Sequence, residues 1–379
     1  MTTARTFVDV HVLQSVPPSN LNRDDTGSPK TAVYGGVRRA RVSSQAWKRA
    51  ARLDFNSRLD ASELGVRTKR VVELVAAEVA ALDASLAETS TAVAEAVLTT
   101  GGIKLAAPRK GADATKESGY LLFLAARQVR KLAELGVAAA QAGDLKAIDK
   151  KAVTAILKAD NSIDLALFGR MVADVSDLNV DAAAQVAHAI STHAVDTEFD
   201  YFTAVDDHKA ADSEEDAGAG MIGTVEFSSS TLYRYATLNV AQLQQNLGTA
   251  AATRTAVETF IESFVRSMPS GKQNTFANNT LPDAIIVTVR SDQPISFVGA
   301  FEDAVVSSAG AGRVAESIDR LVTQASDIAA AYGTPAVATF TVGVGAKAAP
   351  LDTLAPRAPL AELVAGVGEA VAARLPEDA

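Results

Sequence analysis

The order of strand and helix patterns along this chain constrains its fold more than any single motif. Side chains of residues 6–14 alternate, with Val8, Val10 and Val12 on one face, which predicts a half-buried strand. A loop is predicted over residues 15–36, and a helix is predicted to begin near Ser44. Later strands are predicted at residues 227–239, 284–290 and 337–344, and helices at residues 249–268 and 314–332. This order favours an α+β fold with a ferredoxin-like or RRM-like sheet.

A long Ala-, Leu- and Val-rich stretch interrupts this order. Helical periodicity dominates residues 67–143, so residues 59–179 are predicted to form a helical insertion. The sheet domain is then discontinuous and consists of residues 1–58 and 180–379. Within it, residues 196–226 have apolar, β-prone ends and an acidic, Gly/Ala-rich centre. That profile is typical of a protruding hairpin, although a disordered surface loop has the same composition.

The N-terminal segment concentrates positive charge in an acidic chain. Residues 1–58 hold ten Lys or Arg and four Asp or Glu, a local charge of +6 in a chain of net charge −9, which leaves −15 for the rest. Residues 35–52 contain no acidic residue and six basic ones: Arg38, Arg39, Arg41, Lys48, Arg49 and Arg52. Such a surface indicates a polyanionic partner.

A helix that begins at Ser44 divides this segment into two faces. The polar stripe, at i, i+3, i+4 and i+7, contains Gln45, Lys48, Arg49 and Arg52. The other face is predicted to pack and contains Ala46, Trp47, Ala50, Ala51 and Leu53. Ser43 and Ser44 lie at the helix start, where free N–H groups bind anions. The segment therefore suits phosphate contacts, although a solvated basic face fits the same pattern.

Catalytic, metal-binding and membrane signals are weak in this sequence. The absence of cysteine excludes thiol nucleophiles, disulfides and zinc–thiolate sites and fits a cytoplasmic protein, and we expect neither a signal peptide nor a membrane span. His188 and His193, near Asp196, are five residues apart, a spacing that favours structural histidines over a shared metal site. We therefore predict a non-catalytic protein without cofactor or metal, with a metal-dependent nuclease as the alternative.

Five segments of the chain are recognisable together. In order, they are HVLQSVPPSNLNRDDTGSPKTAVYGGVRRARVSSQAWKRAAR (residues 11–52), DLALFGRM (164–171), AHAISTHAVDTEFDYFTAVDD (187–207), FSSSTLYRYATLNVAQLQQNLG (227–248) and PSGKQNTFA (269–277). They resemble the CasC family, the backbone subunit of the type I-E CRISPR Cascade complex. The coincidence of five ordered segments is far more specific than any one short motif.

The resemblance implies a hand-shaped subunit with an RRM-like palm, helical fingers and a thumb hairpin. Copies of it assemble head to tail along a CRISPR RNA, and each thumb displaces a base at intervals. The remaining bases pair with target DNA, so specificity belongs to the guide. The implied partners also include the large, small, Cas-five-type and crRNA-processing endonuclease subunits. A scaffold whose basic helix binds an acidic protein is a further alternative.

The resemblance also implies specific contact residues. Family positions that hold the RNA backbone match Lys30, Ser43, Gln45, Lys48 and Arg52. Further RNA-binding candidates are Asn22, Arg38, Arg39, Arg41, Arg49, the finger residue Met171, and the thumb residues Phe202 and Thr203, with Phe202 as a base wedge. Val37 stands where a basic residue is expected. A loop within residues 101–119 could contact DNA or simply be solvated, and it carries Lys104, Arg109, Lys110 and Lys116.

Overall fold

The protein is described here as a computed structural model, which covers residues 5–108, 115–172, 175–204, 221–307 and 312–376. Its strands are β1 (Phe7–Ser19), β2 (Thr31–Tyr34), β3 (Val37–Val42), β4 (Gly65–Thr68), β5 (Leu105–Ala106), β6 (Glu117–Ser118), β7 (Leu122–Ala125), β8 (Ala184–Val186), β9 (Ala189–Ser191), β10 (Glu198–Ala204), β11 (Met221–Asn239), β12 (Ala284–Arg290) and β13 (Ala338–Gly343). Its α-helices are α1 (Ser44–Asp54), α2 (Val71–Leu82), α3 (Ser90–Thr100), α4 (Ala126–Gln141), α5 (Lys150–Lys158), α6 (Ile163–Phe168), α7 (Val240–Leu247), α8 (Ala250–Arg266), α9 (Gln273–Phe276), α10 (Arg313–Tyr332) and α11 (Leu360–Ala372). No helix within these ranges is long and apolar enough to cross a membrane.

A single antiparallel sheet organises the larger part of the molecule. Its order is β13-β12-β1-β11-β9-β3-β2, and β8 and β10 also pair with β11. The long strand β1 lies between β11 and β12, so that His11 faces Tyr235 on one side and Ile286 on the other. The α+β class predicted from the sequence is therefore confirmed.

Strand β1 is buried on both faces rather than half-buried, because helices cover both sides of the sheet. Val8, Val10 and Val12 pack in a core with α1, α8 and α11. Leu13 lies on the opposite face, in a second core with α10. The prediction of a half-buried strand was wrong because alternation within one strand does not show what covers its other face.

The helical insertion has a core of its own. Helices α2 to α5 surround a cluster of buried apolar side chains that all lie within residues 71–178. Two short two-stranded sheets, β4–β7 and β5–β6, also belong to this region. Strands β5 and β6 lie within the predicted loop over residues 101–119, whereas β4 and β7 lie where the pattern predicted helices.

Several boundaries follow the sequence pattern closely. Helix α8 begins at its Thr249 N-cap, and β12 spans the predicted residues. The predicted loop over residues 15–36 is shorter, because β1 continues to Ser19 and β2 begins at Thr31. The arm at residues 196–226 has a hairpin stem in which β10 pairs with β11; residues 205–220 lie outside the described part.

Candidate nucleic-acid interface

Helix α1 begins where the sequence predicts, and its start is held by two side chains. The Ser43 hydroxyl accepts a hydrogen bond from the N–H of Ala46 at 3.3 Å. The side-chain Oδ1 of Asn22 accepts from the N–H of Ser43 at 2.9 Å. Asn22 and Ser43 therefore fix the direction in which the basic helix leaves the sheet.

The inner face of α1 packs on a buried arginine. Trp47 is 1% exposed, and the Arg234 guanidinium carbon lies 3.7 Å from its ring centroid and 4.5 Å from that of Phe264. Arg234 donates to the Gln14 side-chain oxygen at 2.6 Å and to the Phe264 carbonyl. Burial lowers the pKa of Arg234 to about 9. Leu53, predicted to pack on this face, is instead 45% exposed near the end of the helix.

The outer face of α1 forms one wall of a groove of about 800 Å³. Four of its lining side chains come from the predicted stripe: Gln45, Lys48, Arg49 and Arg52. Burial lowers the pKa of Lys48, which is thus a partly desolvated cation. The Arg52 guanidinium carbon lies 5.8 Å from the Phe123 ring centroid. Within the described part of the chain, no ion pair is formed by Lys48, Arg49 or Arg52.

The opposite wall comes from the helical insertion and the segment after α6. Met171 lines the groove and is 82% exposed, so its thioether is open to a ligand. Arg170, next to it, is buried and donates to the carbonyls of Leu178 (2.8 Å) and Phe123 (3.2 Å). Burial lowers the pKa of Arg170 to about 10. Arg170 therefore stabilises this wall through buried hydrogen bonds, while the Met171 side chain is exposed in the groove.

Arg67 also lines the groove, and sequence reasoning missed it. It lies on β4, opposite Phe123 on β7, and its side chain is exposed. The surrounding residues were predicted to be helical, which concealed a strand that carries a cation across from α1. The only local signal was the β-branched, glycine-started run of Gly65–Thr68.

A smaller crevice continues from the start of α1. It is lined by Ser19, Leu21, Asn22, Pro29, Lys30, Ala40, Arg41, Val42, Ser228 and Ser230. Asn22 connects the crevice to the start of α1, because its side chain also accepts from the N–H of Ser43. The predicted residues Asn22, Lys30 and Arg41 thus lie together at one end of the basic surface.

Two adjacent arginines of the predicted RNA-binding set have different environments. Arg38 is exposed, whereas Arg39 is fully buried. The Arg39 guanidinium donates at 2.8 to 3.2 Å to the carbonyl oxygens of Tyr34, Ser191, Phe301 and Glu302. It fastens the β2–β3 hairpin to a distant segment and is not available to RNA. The prediction for Arg39 was therefore wrong.

The thumb candidates lie on the hairpin stem. Phe202 pairs with Gly223 across the two strands, and its ring lies where a side chain at Gly223 would project. This cross-strand packing leaves Phe202 36% exposed. Thr203 is exposed on the other face of β10 with Phe199 and Tyr201, which are 67% and 65% exposed. The more open aromatic surface of the stem is therefore the face that carries Thr203.

The proposed DNA-contacting loop is only partly described. Lys116 forms an ion pair with Glu95 at 2.7 Å, and Lys104 lines a shallow surface pocket beside it. Arg109 and Lys110 lie outside the described residues. Lys116 therefore already has a carboxylate partner.

The two histidines of the nuclease alternative do not act together. His193 is buried, accepts from the N–H of Thr231 at 3.0 Å and contacts the Ala194 carbonyl at 2.8 Å, as a structural histidine does. His188 is exposed and contacts Arg41. Among the described residues, no group of three His, Asp or Glu side chains is placed to hold a metal ion.

An antiparallel sheet that presents a basic helix and an open groove defines an α+β protein with a cationic surface groove. Two solved chains are similar to this protein over almost their entire length. One, titled "CRISPR RNA-guided surveillance complex, pre-nicking", is 34% identical, with a TM-score of 0.80 over 97% of this chain and 100% of the other. The second, titled "CRISPR RNA-guided surveillance complex", is 31% identical, with a TM-score of 0.73 over 96% and 99%. No curated protein matches the chain.

The family described as CT1975-like protein matches residues 8–366. The chain belongs to this family. Its assignment from sequence to a family of CRISPR surveillance subunits is confirmed.

Proposed function

We propose that this protein is a non-catalytic backbone subunit of a type I-E CRISPR Cascade complex, and that it binds the backbone of the CRISPR RNA. The observation that carries the proposal is the groove lined by Lys48, Arg49, Arg52 and Arg67, cations without an ion-pair partner among the described residues. Unpaired cations along one groove attract a polyanion, and a partly desolvated lysine gains most from a phosphate. The titles of the two similar solved complexes support the same role.

The donors in the groove are of the kind that contact phosphate and sugar. Guanidinium, ammonium and amide groups on a helix face hold a strand without reading its bases. A subunit of this kind accepts any spacer sequence, and base pairing with the target DNA strand supplies the specificity. In this proposal, Met171 on the opposite wall contacts bases, and its exposure supports that role.

The proposed palm is RRM-like and consists of residues 1–58 and 180–379. The support is topological: β12, β1, β11 and the β8/β9 pair are adjacent in that order, and all are antiparallel. Helix α1 follows the first of these strands in the chain, and α8 connects β11 to β12. This is the arrangement of a split βαβ fold. Residues 59–179, with their separate core, are the proposed fingers.

The β10–β11 hairpin is the proposed thumb, which displaces a base of the guide at intervals. Its stem carries exposed aromatic rings, which provide a stacking surface for bases. We further propose that copies of this chain polymerise head to tail along the RNA in the cytoplasm, together with the other Cascade subunits.

Purification from cells that carry a CRISPR array and the partner Cascade genes tests this function. The RNA that is recovered with the protein is sequenced, and we expect repeat–spacer RNA in a large complex. An intact, folded complex without RNA would refute the proposal and favour the protein-interaction scaffold. Cleavage of RNA or DNA that requires Mg²⁺ or Mn²⁺ and is lost in His193→Ala would favour the nuclease.

A further inference from the structure

The exposed histidine at the crevice has an unusual partner. His188 lies between β8 and β9, and its Nδ1 is 3.1 Å from the Nη1 of Arg41 on β3. The same guanidinium donates through Nε to the Thr31 carbonyl at 3.1 Å. A guanidinium has only donors, so the Nδ1 of His188 must be the acceptor. The imidazole is therefore neutral, and its proton is on Nε2.

Cations surround this neutral ring. Besides partial burial, the charges that lower the pKa of His188 are those of Arg41 and Lys30. Both cations line the crevice, together with the hydroxyl-bearing Ser228 and Ser230. In the absence of an anion, a proton on His188 would add a third positive charge to this cluster and remove the acceptor for Arg41.

We propose that Lys30, Arg41 and His188 form a phosphate site for the guide RNA, in which RNA binding is coupled to the uptake of one proton by His188. This inference rests on the proposed RNA-binding function and adds a pH-dependent contact to it. A phosphodiester supplies the negative charge that the cluster lacks, so the protonated imidazole is favoured only when RNA is bound.

The coupled step involves a proton and no covalent change in the RNA. Water supplies the proton, which binds Nδ1 of His188 and takes the place of the hydrogen bond from Arg41. The freed Nη1 of Arg41 and the two imidazole N–H groups then become donors to phosphate oxygens. Three donor groups replace an internal contact, and a charge-assisted contact of this kind is stronger than a neutral one.

The sign of the pH dependence follows from this linkage. The pKa of His188 is lowered in the free protein and rises in the complex, so the gain in affinity is complete below the free pKa and is lost as pH rises through the bound pKa. A rise of one unit corresponds to about tenfold tighter binding. We therefore expect RNA affinity to increase by up to about tenfold between roughly pH 8 and pH 5, the range in which histidine titrates.

The test compares the full-length protein with His188→Asn, which keeps an acceptor for Arg41 and does not titrate. Binding of a mixed-sequence single-stranded RNA is measured by fluorescence anisotropy across this pH range. We expect the wild-type affinity to rise as pH falls and the variant affinity to stay nearly constant. A wild-type affinity that does not change with pH, or an equal change in both proteins, would overturn the inference.

A second measurement does not depend on the variant's folding. The ¹³Cε1 resonance of His188 in labelled wild-type protein is titrated with and without RNA, and its pKa must rise on binding. An unchanged pKa would refute the coupling even if RNA binds. Failure of the wild-type protein to bind RNA at any pH would instead refute the proposed function, so the two outcomes are distinguishable.

Discussion

The guanidinium carbon of Arg234 lies 3.7 Å from the ring centroid of Trp47, beneath the helix whose outer face carries Lys48 and Arg49. Stacking of a desolvated guanidinium on an indole stabilises the pair by about 2 kcal/mol or more. Helix α1, whose outer face carries cations into the groove, is thus held on its inner face by the buried Arg234. Both the position and the tilt of the outer stripe depend on this buried contact.

Replacing Trp47 by alanine should destabilise the fold strongly. The change removes a buried ring and leaves the Arg234 guanidinium without its stacking partner, so we expect a loss of about 3–5 kcal/mol in the free energy of unfolding. Urea unfolding measures the loss. Leu53→Ala is the control, because this 45% exposed side chain on the same helix should cost less than about 1 kcal/mol. Equal losses for both variants would contradict the anchoring role of Trp47.

Reversing two charges on the outer face of α1 should abolish RNA retention. Lys48→Glu with Arg49→Glu places two carboxylates in the groove, which repel phosphate, while the fold should survive because neither side chain belongs to the core. RNA recovered with the purified variant is quantified by absorbance. The matched control is Lys146→Glu with Lys158→Glu, which makes the same charge change at exposed positions outside the groove. If RNA stays bound to the first variant, α1 is not the binding face.

Removing the positive charge of Arg67 should weaken the salt dependence of RNA binding. Arg67→Gln removes one phosphate contact, so the slope of log affinity against log salt should fall in magnitude by about 0.7. Anisotropy titrations at several salt concentrations measure this slope. Arg127→Gln serves for comparison, because this exposed arginine is already paired with Glu63 and should leave the slope unchanged. An unchanged slope in Arg67→Gln would exclude it from the interface.

Substitution of Arg39 should affect stability, whereas substitution of Arg38 should affect RNA binding. Arg39→Leu leaves four carbonyl acceptors without this donor, two of them in buried hydrogen bonds, and should lower the free energy of unfolding by about 2–4 kcal/mol. Arg38→Gln should change stability by less than about 0.5 kcal/mol and weaken RNA binding instead. Thermal unfolding and RNA anisotropy on the two variants separate these effects. A stable Arg39→Leu protein would show that the hydrogen bonds of the Arg39 guanidinium are unimportant for stability.

Acidification should destabilise the protein through His11. This fully buried ring stacks on Phe297 at 4.1 Å, and its Nδ1 lies 2.9 Å from the Tyr233 hydroxyl. Burial, with a smaller effect of Arg290, lowers its pKa from 6.5 to about 3. Because the folded pKa is depressed, the unfolded chain takes up the proton first. Stability is lost as pH falls below 6.5 towards 3.

Between about pH 7 and pH 5, this group alone should cost about 2 kcal/mol. Urea unfolding at the two pH values is compared between the wild type and His11→Asn, which keeps an acceptor for Tyr233 but does not titrate. The variant should lose about 2 kcal/mol less than the wild type over this interval. Identical pH dependence in the two proteins would mean that the pKa of His11 is the same in the folded and unfolded states.

Local patterns predicted the elements whose signals lie within a few residues. The start of α1 at Ser44 follows from capping, the strand β12 from a β-branched apolar run, and the helix α8 from helical periodicity. The environment of Arg39 could not be predicted in this way, because its acceptors include Phe301 and Glu302, more than 250 positions later. Arg38 and Arg39 are equivalent in the sequence and differ only after the chain has folded.

Contacts between distant parts of the chain also explain the other differences between the predicted and the observed structure. Arg67 joins the groove because β4 pairs with β7, across the intervening helices α2 and α3. Leu53 lies on the predicted inner face but near the helix end, where the sheet and α8 no longer cover it. The groove residues of α1 were found because one helix carries all of them, whereas its opposite wall is assembled by tertiary contacts.

The central position of β1 also determines how the newly made chain must fold. β1 leaves the ribosome long before its two neighbours in the sheet, which end at Asn239 and Arg290. At about 5–20 residues per second, the strand waits on the order of tens of seconds for both. The core within residues 71–178 is complete much earlier. We therefore expect the helical insertion to fold during translation while the valine-rich β1 is still unpaired, and the nascent chain to need protection from aggregation until β12 is synthesised.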